Sequence, residues 1–131
     1  MDYAVGTKAS LTKTITAKDV QMFAEVSLDH NPIHLNEEAA KNSIFGRCIA
    51  HGVISLGLIS AVLGNQMPGP GSIYLKQEIK FLIPVFLGDT ITAEVEITEL
   101  IPERSRYIIR TDVKNQAGKL VATGFATVLH S

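Results

Sequence analysis

Asp29, Asn31, Pro32 and His34 fall within the six residues Asp-His-Asn-Pro-Ile-His. Proline lacks an N–H and pushes the residue before it out of the helical region, so this spacing predicts a turn or extended bend rather than regular helix. A carboxylate and an imidazole held close together can share one water. The Asp accepts a proton from it, while the His supplies the second hydrogen bond and passes a proton on, which is the equipment for hydration and dehydration. The same residues also have a purely structural reading, in which Asp29 caps a turn, Asn31 bonds its own backbone and His34 is a satisfied, partly buried histidine.

The second constellation is His51-Gly52, at the head of the apolar run GVISLGLISAVLG. Glycine lets a ligand approach the backbone, and the free N–H groups at a helix start can meet an oxyanion. It also reads as a helix start needing no ligand, with His51 as a capping or packing residue. Other candidates are weaker. His30, His34, His51 and Asp29 lack the spacings of zinc motifs, so no metal is expected. Cys48 has no charge pattern around it that would lower its pKa and reads as a small buried hydrophobe. Gly69-Pro70-Gly71 lacks the Lys-Ser/Thr of a phosphate loop, and Glu94 and Glu96 read as a solvated strand face.

The elements that must position these groups follow from periodicity. Residues 8–16 alternate as an edge-like strand. Thr16 followed by Asp19 suggests a capping box, and Val20, Phe23 and Ala24 give helical spacing over 17–27. Asn36 followed by Glu37 and Glu38 starts a short helix to about Asn42. The run from Gly52 to Gly64 is apolar all round and carries the small residues Ser55, Gly57, Ser60 and Ala61. It reads as a buried central helix ended by Pro68-Gly69-Pro70-Gly71, too short for a membrane span of about 20 residues. After residue 72 the period becomes two, with Ile91, Ala93, Val95 and Ile97 alternating with polar residues. Further strands are expected over 72–83, 104–114 and 119–129, with turns at Gly88-Asp89 and Asn115–Gly118 and short connections implying antiparallel neighbours. The class is α+β, one domain over 1–131, with open sheet edges that dimerisation would cover.

Composition narrows the partners. The chain has 131 residues with 12 basic against 13 acidic side chains and a net charge of -1. Without a Lys/Arg cluster, neither nucleic acid nor a membrane surface is an expected partner. A single cysteine forms no intrachain disulfide, and Met1–Ser10 lacks the basic-then-apolar order of a secretory signal, so a reducing, cytoplasmic setting is expected.

The segments SLDHNPIHLNEEAA, RCIAHGVISLGLISAVLG and MPGPGSIYLKQEIKFLIPVFLGDTITAEVEI together carry a resemblance over about Val20–Phe125. The chain resembles the MaoC-like, (R)-specific enoyl-CoA hydratases, whose signature is Asp-x-Asn-Pro-aliphatic-His with a small residue six positions on, here Ala40. The resemblance implies a hot-dog fold, with a curved antiparallel sheet wrapped around the long helix of each subunit of a homodimer. It implies reversible hydration of a trans-2-enoyl thioester to the (R)-3-hydroxyacyl thioester. The carrier would be CoA or acyl carrier protein, and no cofactor is needed. It places the catalytic pair on Asp29 and His34, the oxyanion donor on the Gly52 N–H and an active-site serine on Ser60. Asn31 would hold the bend and, with Ser60 and His51, complete the substrate-binding set. The close match of the strand-forming half to hydratases that supply storage-polymer precursors suggests short acyl chains. A 3-hydroxyacyl-acyl-carrier-protein dehydratase, a hot-dog acyl-CoA thioesterase and a non-catalytic acyl-CoA-binding module are the alternatives. Leu28 stands where many members have glycine and Cys48 where proline is common, departures that bear on pocket shape more than on the reaction.

Overall fold

The computed structural model describes residues 1–131. The chain runs β1 (Lys8–Thr14), α1 (Ala17–Ser27), α2 (Pro32–Leu35), α3 (Glu37–Lys41), α4 (Val53–Asn65), β2 (Ile73–Phe81), β3 (Thr90–Ile101), β4 (Arg106–Lys114) and β5 (Leu120–Leu129). A 3₁₀ turn at Pro102–Arg104 makes β4 begin later than residue 104. All five strands form one antiparallel sheet in the order β1-β3-β4-β5-β2.

The alternation in β3 is what builds the core. Ile91, Ala93, Val95 and Ile97 are buried, and so are Tyr107, Ile109, Thr111 and Val113 on β4. Helix α4 lies across this inner face, against β3 first and then β1 and β4, burying Leu58, Ile59, Val62 and Leu63. Each such side chain contributes about 1.5–3 kcal/mol on leaving water. Helix α1 begins with the expected capping box. The Asp19 N–H donates to Thr16 Oγ1 at 3.1 Å, and the Thr16 N–H donates to Asp19 Oδ2 at 2.9 Å.

Three expectations are corrected. The bend lies at Asp29–Asn31 as expected, but from Pro32 to Leu35 the chain makes a helical turn: Pro32 sits at its first position, where the missing N–H has no helical partner to lose. Helix α4 is buried on one side only, since Val53, Gly57 and Ser60 are exposed in the single chain. Strand β2 does not pair with β3, its successor in sequence. The Leu82–Asp89 connection carries the chain across, leaving β2 on the edge beside β5. No helix is long and apolar enough to cross a membrane.

Candidate active site

Asp29 sits just past the end of α1. Its predecessor Leu28 takes a left-handed conformation, φ 66°, which turns the chain sharply out of the helix. The bend is then held by local bonds. The Asp29 N–H donates to Ser27 Oγ at 3.1 Å, and the Asn31 N–H donates to Asp29 Oδ1 at 3.2 Å. Asn31 Oδ1 accepts from the Ile33 N–H at 3.2 Å and so caps α2, the turn that carries His34.

His34 is fixed through one nitrogen. Its Nδ1 lies 2.7 Å from the Ile49 carbonyl oxygen. A carbonyl can only accept, so Nδ1 carries a proton, and in the neutral ring Nε2 is the nitrogen with the lone pair. His51 is buried, and its Nε2–H donates to the Asp29 carbonyl oxygen at 3.0 Å. The two imidazoles stack with centroids 3.9 Å apart and planes 31° from parallel, and Phe23 of α1 packs on His51 at 4.8 Å. Asp29, His34 and His51 can each offer a ligand atom within 4.8 Å of the others. Their orientation fits a metal poorly. Lone pairs lie in the ring planes, so two rings stacked 3.9 Å apart aim theirs side by side and do not converge on one ion.

His34 lines two cavities. One, of about 300 Å³, is mostly apolar and also bounded by Gly52, Ser55 and Phe81. The other, of about 330 Å³, has the polar neighbours Gln21, Glu25, His30 and Glu37 with Cys48. The Gly52 N–H donates to no acceptor in the chain, and no side chain caps α4, so the helix start is open toward the apolar cavity. Room is tight there: a Cβ at position 52 would stand 3.2 Å from the Phe81 ring, which would have to shift by a few tenths of an ångström to admit it. Burial pushes the Cys48 thiol up, helped by the nearby Glu37 carboxylate, the reverse of what a nucleophilic cysteine needs.

His34 therefore links the other two expected groups: a ring nitrogen lies within 4.8 Å of an Asp29 carboxylate oxygen, and the ring shares its apolar cavity with Gly52, while Asp29 itself lines neither cavity. The remaining expected substrate-binding residues are placed differently. Asn31 caps a helical turn and lines neither cavity. His51 packs behind His34. Ser60 lies about 12 Å further along α4 at 1.5 Å per residue. There it borders a separate cavity of about 40 Å³ with Leu63, Tyr74 and Val128. Ser55, whose small size in the sequence argues only for close packing, lines the His34 cavity instead. Its position one turn after Gly52, nearer the helix start than Ser60, was the available signal. Phe81 carried none, because its approach depends on the long-range placement of β2.

Residues 4–119 match the family described as MaoC like domain. The chain belongs to that family. It is 49% identical over 128 residues to an (R)-specific enoyl-CoA hydratase of Rhodospirillum rubrum, covering 98% of this chain and 88% of that protein. It is 50% identical over 105 residues to a 3-hydroxybutyryl-CoA dehydratase of Methylorubrum extorquens, covering 80% of this chain and 67% of that one. Among solved structures, the (R)-hydratase of Aeromonas caviae involved in PHA biosynthesis superposes with a TM-score of 0.96 at 43% identity, covering 99% of this chain and 98% of that one. The fold is the hot-dog fold of these MaoC-like hydratases.

Proposed function

We propose that this protein is an (R)-specific enoyl-CoA hydratase that adds water reversibly to a trans-2-enoyl thioester. The observation that carries this reading is the bond from His34 Nδ1 to the Ile49 carbonyl, which fixes the imidazole with a ring nitrogen within 4.8 Å of an Asp29 carboxylate oxygen and on the cavity that Gly52 lines. Water held by Asp29 and His34 attacks C3. Its oxygen bonds carbon, one proton passes to the pair, and a proton is returned to C2 from the same face. Addition of H and OH thus leaves both side chains as they began. Charge gathering on the thioester oxygen meets the Gly52 N–H and the positive end of α4.

The thioester itself withdraws electrons from the alkene, so this chemistry asks for no metal or redox cofactor, and activity is expected to survive chelators. The Methylorubrum relative's name and the modest cavity support short acyl chains, about four to six carbons, a preference worth about 1–3 kcal/mol per methylene. A homodimer covers the edge strand β2, and a reducing cytoplasm suits the lone thiol. The test is loss of enoyl absorbance on adding the protein to crotonyl-CoA, with free thiol assayed alongside and the product offered to (R)- and (S)-specific dehydrogenases. An (R) product without thiol release is expected. Thiol release would replace the reading with a thioesterase. Tight binding of CoA and acyl-carrier substrates without turnover would replace it with a binding module.

A further inference from the structure

We infer that His51 is a positioning residue, setting where the Asp29 carboxylate stands relative to His34 and the Gly52 N–H. Asp29 leaves α1 through the left-handed Leu28, and its other hydrogen bonds reach only Ser27 and Asn31. The bond from His51 Nε2–H is the single one that ties Asp29 to a distant part of the chain. The exchange is reciprocal. His34 donates to the Ile49 carbonyl, and the Ile49 N–H donates to the Ile33 carbonyl at 3.3 Å. Two anchors on the segment 49–51 therefore hold the backbone that carries the Asp29 carboxylate and the His34 imidazole, and that same segment runs directly into Gly52. The spacing of base, acid and oxyanion donor is set by one short piece of backbone.

Burial economy does not explain a histidine here. His51 is only 2% exposed, and its Nδ1 has no hydrogen-bond partner. A phenylalanine in the same slot, between Phe23 and His34, would leave no orphaned acceptor. What the phenylalanine would lack is the donor to Asp29. The imidazole is kept for that bond, at the expense of a buried unsatisfied nitrogen.

This inference rests on the hydratase reading for its kinetic test, and two variants separate the roles. His51→Phe keeps the ring and removes the donor, whereas His51→Gln keeps an amide N–H near the Nε2 position and removes the ring. With crotonyl-CoA, His51→Phe is expected to lose about 10- to 100-fold in kcat with KM within about threefold and Tm unchanged or raised, because misplacement by about 1 Å is enough for such a loss. His51→Gln should recover most of the kcat while its Tm falls. A His51→Phe variant that keeps more than half the wild-type kcat, or loses only KM, overturns the inference. So does a His51→Gln variant whose kcat falls in step with its stability, and that variant decides alone if His51→Phe does not fold. Imidazole ¹⁵N NMR of the wild-type protein supplies a readout that needs no turnover. His51 protonated at Nε2 and His34 at Nδ1 are expected, and the opposite tautomer at His51 overturns the inference. Wild-type protein inert toward enoyl thioesters would sink the hydratase reading and leave the NMR result to judge His51.

Discussion

Asp29 and His34 differ in how firmly they are held, and this sets what their removal should do. Asp29 is exposed, so Asp29→Ala should leave the fold intact; His34→Ala removes a ring that packs on His51 and bonds Ile49, and should lower Tm as well. In kinetics the two should look alike. General acid-base groups contribute about 100- to 10,000-fold, so either variant is expected to lose at least about 100-fold in kcat. A rate above about a tenth of wild type in the crotonyl-CoA assay would remove that residue from the mechanism. Leu28 offers a prediction of the opposite sign. It is 78% exposed and holds φ 66°, a conformation that suits glycine and strains a branched side chain. Leu28→Gly relieves that strain, loses almost no buried surface and raises the entropy of the unfolded chain. The net expectation is a gain of about 0.5–1 kcal/mol in urea unfolding, and a loss would show that the leucine is packing against something.

The elements that carry the site are anchored at their ends, and α1 shows this most directly. Thr16→Ala removes the capping oxygen and should lower stability by about 1 kcal/mol. Asp19 is the other half of the box. The hydrogen bond from the Thr16 N–H holds its carboxyl below the ordinary range, with Lys13 at 3.2 Å adding to the effect. A depressed folded pKa stabilises above the unfolded value and is lost as pH falls. The stability difference between wild type and Asp19→Asn should therefore be full at neutral pH and shrink below about pH 4, near the unfolded pKa of an aspartate. A difference that stays constant to pH 2 would assign the effect to packing. The capping box was legible in the sequence because it is local, four residues deep, and the alternation of β3 was legible because one sheet face is wet. The turn Pro32–Leu35 was not, since a proline that breaks a helix from behind looks the same in sequence as one that starts a helix. The partner of β2 was not either, because pairing between residues such as Glu78 and Phe125 depends on the whole sheet rather than on any local pattern. The Asp29–His34 pair was visible as a short motif, while the role of His51 needed the fold to bring residue 51 beside residue 29.

At the scale of the molecule, the sheet ends on one side in a strand that water does not suit. β2 pairs with β5 on one edge and with nothing on the other, and it carries the exposed apolar side chains Ile73, Leu75 and Phe81, followed by Leu82 and Ile83. Proteins that leave an edge strand free usually guard it with charge, proline or shortness. Here Lys76, Glu78 and Lys80 alternate along β2, but Lys76 and Glu78 pair with each other at 3.5 Å and leave the apolar ends unguarded. A second copy related by a two-fold axis can meet this edge with its own β2, satisfying the free N–H and C=O groups and covering the apolar ends at once. The expected mass in light scattering is that of a dimer. Adding charge on the outer edge with Ile73→Lys and Leu75→Lys should shift the protein toward monomer, and because both residues are about half exposed in the single chain and outside its buried core, the fold of each subunit should survive. The cavity beside His34 is bounded by Phe81, the last residue of that same strand, so loss of the dimer should also raise KM for crotonyl-CoA. A double variant that remains dimeric with unchanged KM would place the interface elsewhere, on the exposed side of α4 that carries Val53, Gly57 and Ser60.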